Sequence, residues 1–162
     1  MLSSRARLLA RLIAAVAICQ MAAILGSVFT TPAIPTWYGG LRKPSHAPPN
    51  WVFAPMWTML YLLMGISLFL IWNVGLEKRH VRRSLAIFGV QLVLNILWSH
   101  LFFGMQSPLL GLIGIVALWI TIVLTVVSFS KVSKLAAMLL VPYLIWVSFA
   151  SYLNYALLIL NP

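Results

Sequence analysis

Five apolar runs of about twenty residues each, with most of the charge confined to their flanks, leave this chain almost no choice of solvent. A membrane-spanning helix needs about 20 consecutive, mostly apolar residues. Leu8 to Thr30, Trp51 to Asn73, Ser84 to Gly104, Pro108 to Phe129 and Leu135 to Leu160 all meet that requirement. With 63% of its 162 residues hydrophobic and 7% charged, a soluble domain of this size cannot hide its apolar surface. The expected fold is therefore an all-α integral membrane protein, a bundle of five transmembrane helices forming one domain over residues 1–162. No polar stretch is long enough for a second domain.

The charged residues are eleven Lys or Arg and the single Glu77, with no Asp. That inventory excludes paired-carboxylate acid/base chemistry and carboxylate metal cages. A net charge of +10 in a soluble protein would suggest nucleic acid. Here the cations flank apolar runs, which is the pattern of membrane edges, so no nucleic-acid partner is expected. Arg5, Arg7, Arg11, Lys78, Arg79, Arg82, Arg83, Lys131 and Lys134 fall on one side, and Arg42 and Lys43 on the other. The positive-inside rule then predicts a cytoplasmic N-terminus, an external C-terminus and contacts with anionic membrane lipids at the basic side. Leu12 to Phe29 exceeds the usual apolar core of a signal peptide and no A-x-A site follows, so the first run reads as a retained helix. A cytoplasmic-membrane location follows from that reading.

Gly104 and Pro108 supply a helix stop and a helix start around a tight turn, which predicts that helices three and four are antiparallel neighbours. The long connection is Thr31 to Asn50, which holds five of the nine prolines together with Trp37, Tyr38 and His46. Its ring residues predict a folded cap over one mouth of the bundle.

Polar side chains at bilayer depth usually face the bundle interior. Gln91, Asn95 and Trp98, at i, i+4 and i+7, place two amides and an indole on one helix face. Interhelical glue and ligand contact are equally good readings of that spacing. Trp57, Tyr61 and Met64 form a similar stripe on the second run, and Tyr143, Trp146, Ala150 and Asn154 on the fifth. Such stripes are more often core packing than ligand boxes. Two features shift the balance: Trp51 and Trp57 open the helix that leaves the proline-rich connection, and the small Ala150 beside Trp146 leaves room for a flat ligand. Pro55 and Pro142 remove backbone hydrogen bonds from their helices and are expected to bend them, unless Pro55 sits in a first turn where proline is tolerated. Cys19 has no partner for a disulfide, and His46, His80 and His100 do not have metal-site spacing.

The run Trp37-Tyr38-x-x-Leu41-x-Lys43-Pro44-x-x-x-Pro48-Pro49-x-Trp51-x-Phe53-x-Pro55-x-Trp57-x-x-x-Tyr61 closely resembles the signature of the TspO/MBR family, the tryptophan-rich sensory or translocator proteins. Two further blocks agree in order and spacing: Gln91-Leu92-x-Leu94-Asn95-x-x-Trp98-x-x-x-Phe102-Phe103-Gly104 and Pro142-Tyr143-Leu144-x-Trp146-x-x-x-Ala150-x-x-x-Asn154-Tyr155. The resemblance implies a five-helix bundle, commonly a homodimer. Its first loop would close a pocket for porphyrins, sterol-like lipids and isoquinoline or benzodiazepine drugs. Carried over by motif, the ligand-binding positions are Tyr38 and Pro48 from the loop, Trp57 and Tyr61 from helix two, and Asn95 and Trp98 from helix three, with Gln91 on the same face. Helix five would add Trp146, Ala150 and Leu153. Some family members promote light-dependent porphyrin breakdown, for which Trp57 and Trp146 are the implied positions. After Tyr155 no basic residue follows, unlike the cholesterol-recognition segment of animal members. The Arg-rich start and the end at Pro162 look more like a bacterial member.

The leading expectation is a membrane protein that binds a porphyrin or related haem-like tetrapyrrole to sense, shuttle or dispose of it, with no cofactor required. A lipid or sterol translocator is the alternative. A third reading is a degrading activity resting on the ligand's own photochemistry and nearby indoles.

Overall fold

The computed structural model describes residues 4–162. Its helices are α1 (Ser4–Ala33), α2 (Phe53–Trp72), α3 (Arg79–Ser99), α4 (Pro108–Ser130), α5 (Lys134–Leu139) and α6 (Val141–Leu160). These make five crossings long and apolar enough for a membrane, the fifth shared by α5 and α6. The protein is an integral, multi-pass, all-helical membrane protein.

The proline-rich connection differs from expectation. The backbone of α1 runs on through a π-helical turn, Ile34–Tyr38, so Trp37 and Tyr38 are helical residues and the true connection is residues 41–49. Pro32 inside α1 and Pro35 in the π-helical turn lack the N–H groups an α-helix would use, and the chain stays helical through both. The carbonyl of Pro32 accepts from the Thr36 hydroxyl at 2.7 Å. From Ser4 to Tyr38 the first crossing has 35 residues. At about 1.5 Å per residue it exceeds the roughly 30 Å hydrocarbon core, so its ends stand outside it.

Other boundaries follow local chemistry. Ser107 caps α4 by accepting from Leu110 N at 3.2 Å, with Pro108 in the first turn, where no N–H is needed. α3 begins at Arg79, earlier than the apolar run suggested, and ends in a second π-helical turn, His100–Gly104. The fifth crossing breaks at Leu140, because Pro142 cannot donate into a continuous helix. The break frees the Ala136 carbonyl, which accepts from the buried Ser67 hydroxyl at 2.8 Å and ties α2 to α5. Pro55 sits within the first turn of α2, where it costs little.

The helices close a ring: α1 packs on α2, α2 on α5, α5 and α6 on α4, α4 on α3, and α3 back on α1. Close approach depends on small residues. The buried positions of α1 are Ala15, Cys19, Ala22, Gly26 and Ala33, a stripe that lets neighbouring backbones in. A Cβ on Gly65 of α2 would lie 2.7 Å from Val16 Cα, so α1 and α2 touch backbone to side face there. Lipid tails offer no hydrophobic drive for helix association, and such contacts supply van der Waals energy in its place.

The two ends differ. At the basic end Arg11 Nη1 donates to Asn73 Oδ1 at 3.2 Å. At the other end residues 41–49 cross the bundle and are fastened to α6. Arg42 N donates to Asn161 Oδ1 at 2.9 Å, Asn161 Nδ2 donates back to the Arg42 carbonyl at 3.0 Å, and His46 stacks on Tyr152 at 5.3 Å.

Candidate functional site

Two crossings of the ring place polar and aromatic side chains inward at the same depth. On α2 the spacing of Trp57 and Tyr61 puts both rings on one face, and on α3 the same is true of Gln91, Asn95 and Trp98. Their hydroxyls and amides meet in a directional chain. Tyr61 Oη donates to Asn95 Oδ1 at 2.8 Å, Asn95 Nδ2 donates to Tyr143 Oη at 2.6 Å, and Tyr143 Oη donates to Gln91 Oε1 at 3.0 Å. The chain joins α2, α3 and α6, and every residue in it is buried. Spacing alone left Asn95 and Gln91 between glue and ligand contact. The structure makes both amides glue, and places Asn95 at a cavity wall as well.

That cavity, of about 270 Å³, lies between α1, α2 and α3 on the cap side of the hydrogen-bonded chain. Trp57, Tyr61 and Phe53 of α2 and Asn95, Trp98 and Phe103 from the third crossing form its inner wall. The indoles of Trp57 and Trp98 stand 6.0 Å apart with a 35° tilt, and Trp98 stacks on Phe102 at 5.8 Å. An apolar ring-lined hollow with one amide in its floor suits a flat, mainly apolar molecule.

The structure brings Trp57, Tyr61, Asn95 and Trp98 to this cavity and leaves the other six expected positions outside its lining. Gln91 lies one turn further along α3, below the cavity. Tyr38 is buried at the end of the first crossing, edge-on to Phe53 at 5.8 Å, with Lys43 Nζ 4.7 Å above its ring. It sits on a helix, not in the loop. Pro48 is half-buried in the cap. On α6, Leu153 is buried and Trp146 and Ala150 are half-buried. Trp146 meets the cavity only through Phe53, whose ring it contacts edge-on at 6.2 Å. Phe53 and Trp57 fill the space between α2 and α6, and this separates the α6 positions from the hollow.

Several side chains in this region carry buried polar atoms with no hydrogen-bond partner among the described residues: Tyr38 Oη, Trp98 Nε1, Trp146 Nε1 and Gln91 Nε2. Leaving a buried donor unmet costs about 1–3 kcal/mol. A ligand carbonyl or carboxylate is the kind of group that removes such a cost.

The outer wall comes from α1, which the motifs did not mark. Gln20, Ser27, Thr30 and Thr31 line the cavity, with Thr58 of α2 opposite them. The signal was present as polar residues at i, i+7 and i+11 within an otherwise apolar run, in Gln20, Ser27 and Thr31.

Residues 15–160 match the TspO/MBR family. A tryptophan-rich protein TspO of Chlorobaculum tepidum is 50% identical over 147 residues, which are 91% of this chain and 93% of the relative. One of Archaeoglobus fulgidus is 48% identical over 151 residues, covering 93% and 97%. A translocator protein of Sus scrofa is 42% identical over 120 residues, covering 74% and 71%.

Proposed function

We propose that this chain, which belongs to the TspO/MBR family of membrane translocator and sensory proteins, binds a porphyrin-type tetrapyrrole in the hollow between α1, α2 and α3. The observation that carries this reading is the pair of indoles, Trp57 and Trp98, facing one apolar cavity whose floor is the Asn95 amide. Planar π-systems stack on indole faces, and a few fixed polar groups orient what apolar contact holds. The unmet indole N–H of Trp98, which lines the hollow, would donate to a carbonyl or carboxylate at the ligand's rim. At about 270 Å³ the hollow is near the small end of ligand sites, about 300–1,000 Å³, so a macrocycle enters it edge-first or after ring displacement. No cofactor is needed for binding; the tetrapyrrole is the ligand.

The role that fits is transport, sensing or disposal of the bound pigment. A lipid or sterol translocator is the second reading, and the opening of the hollow onto exposed residues of α1 and α2 favours it. Light-dependent breakdown is the third, with Trp57 at the cavity wall and Trp146 one ring behind. We place the basic end in the cytoplasm of a bacterial cell, by the positive-inside rule. We also place a second copy of the chain against the outward face of α3, where Gly89 has open space beside exposed Ala86, Val90 and Val93.

The test is a titration of the detergent-purified protein with protoporphyrin IX in the dark, following tryptophan fluorescence, repeated with cholesterol as competitor. Saturable quenching that cholesterol leaves intact supports the tetrapyrrole reading. Quenching abolished by cholesterol, or none that saturates, moves the function to lipid translocation. Illumination of the bound complex then asks whether the porphyrin band bleaches, and whether Trp57→Phe stops it.

A further inference from the structure

The first crossing leans on two different neighbours along its length. Near the basic end it meets α2 at Val16 and Gly65. Nearer the cap it meets α3, where a Cβ on Gly26 would lie 3.1 Å from Ser99 Oγ. On the cap side of the Val16–Gly65 contact the hollow lies between α1 and α2, and its lining includes exposed residues of both helices, so it reaches the bundle's outer surface through a gap there. Its rim is formed by exposed Ser27 and Thr31 on α1 and exposed Ala54 and Thr58 on α2. Ile24 and Val28 beside the rim are both 63% exposed, so the gap faces acyl chains.

Polar side chains facing lipid at this depth are costly unless they serve a cavity or passage. The rim hydroxyls reduce that cost by donating to their own helices, Ser27 to the Ile24 carbonyl at 2.7 Å and Thr58 to the Ala54 carbonyl at 2.8 Å. They therefore present acceptor lone pairs to whatever passes. Across the gap Gln20 Nε2 reaches the Thr58 carbonyl at only 3.4 Å, a long and weak bond. The cap end, by contrast, is held by the reciprocal Arg42–Asn161 bonds and the His46–Tyr152 stack.

We propose that the gap between α1 and α2 is a lateral portal: a planar amphipathic ligand dissolved in the bilayer reaches the hollow sideways from the lipid, while the cap stays fastened. This rests on the tetrapyrrole-binding reading, and the test separates the two. Protoporphyrin IX is mixed rapidly with the protein in phosphatidylcholine nanodiscs, and association and dissociation rates are read from tryptophan quenching.

Ser27→Phe and Thr58→Phe narrow the portal from opposite helices, and using both guards against either one failing to fold. Asn161→Ala unfastens the cap. A portal predicts that the Phe variants slow association by about 10-fold or more, a barrier increase of about 1.4 kcal/mol, and slow dissociation as well, while Asn161→Ala leaves both rates unchanged. Acceleration by Asn161→Ala overturns the proposal, because the ligand then passes the cap. Phe variants with unchanged rates, or with faster dissociation alone, also overturn it, since the rim is then a wall or a contact and not a passage. Absence of saturable quenching in the unsubstituted protein overturns the binding reading and the portal together. Saturable quenching with rates indifferent to Ser27 and Thr58 overturns the portal alone.

Discussion

Asn95 Nδ2 donates to Tyr143 Oη at 2.6 Å, the shortest link in a chain whose protons all point the same way, from Tyr61 on α2 through α3 to α6. In surroundings without water each bond polarises the next, so the amide of Asn95 holds three crossings at once.

Replacing Asn95 by Leu removes two interhelical bonds and strands the buried Tyr61 phenol, while Tyr143 keeps its bond to Gln91. At about 1 kcal/mol per bond in a membrane, the loss is about 2 kcal/mol, read as a lower midpoint of SDS-driven unfolding in mixed micelles. Gln91→Leu breaks a single bond and also removes an unmet Nε2 donor, so its cost is smaller. A Gln91 variant less stable than the Asn95 variant would contradict the directional chain.

Gly65→Ala brings a methyl group to 2.7 Å from Val16 Cα and forces α1 away from α2. Overpacking of this kind costs about 1–3 kcal/mol. Gly89→Ala meets open space and gains helix propensity, up to about 1 kcal/mol, in the monomer. Thermal unfolding of the two variants side by side checks the sign of each.

Trp57 lines the hollow and Trp146 does not. Trp57→Leu therefore weakens protoporphyrin IX binding by about 2- to 10-fold, the worth of one aromatic stack. Trp146→Leu weakens it less. Equilibrium quenching titrations measure both, and equal losses would mean that the bound state draws α6 into the site.

Asn161→Ala deletes both bonds that fasten Arg42. Two bonds of about 1 kcal/mol each raise the open population of the cap by roughly tenfold or more. Tryptic cleavage after Arg42 should accelerate by that factor, because cleavage of a rapidly opening segment follows the open population. The unfolding midpoint should barely move, since the cap is at the rim of the bundle.

Much of the architecture was legible in the residues. Hydropathy marked all five crossings, and the Gly104 to Pro108 turn marked the tight link between α3 and α4. Helix boundaries at prolines were less legible. Pro32 and Pro35 read as loop residues, yet Pro32 lies inside α1 and Pro35 in the π-helical turn that continues it, so the crossing runs on past both. Pro142 marked a bend in the fifth run, and the structure makes it a full break, with Ser67 donating to the freed and buried Ala136 carbonyl.

The site divides in the same way. Ring stripes on the second and third runs pointed to Trp57, Tyr61, Asn95 and Trp98, because helical periodicity is local and can be counted along the chain. That α1 forms the outer wall, and that Trp146 stands behind Phe53, depended on which helix leans on which. Those contacts are decided by small residues far apart in sequence, Gly65 against Val16 and Gly26 against Ser99. Solvent and helix count were thus written in composition and period, which each segment carries by itself. The hollow and its side opening exist only where backbones of different segments approach or diverge, and that is a property of the packed bundle alone.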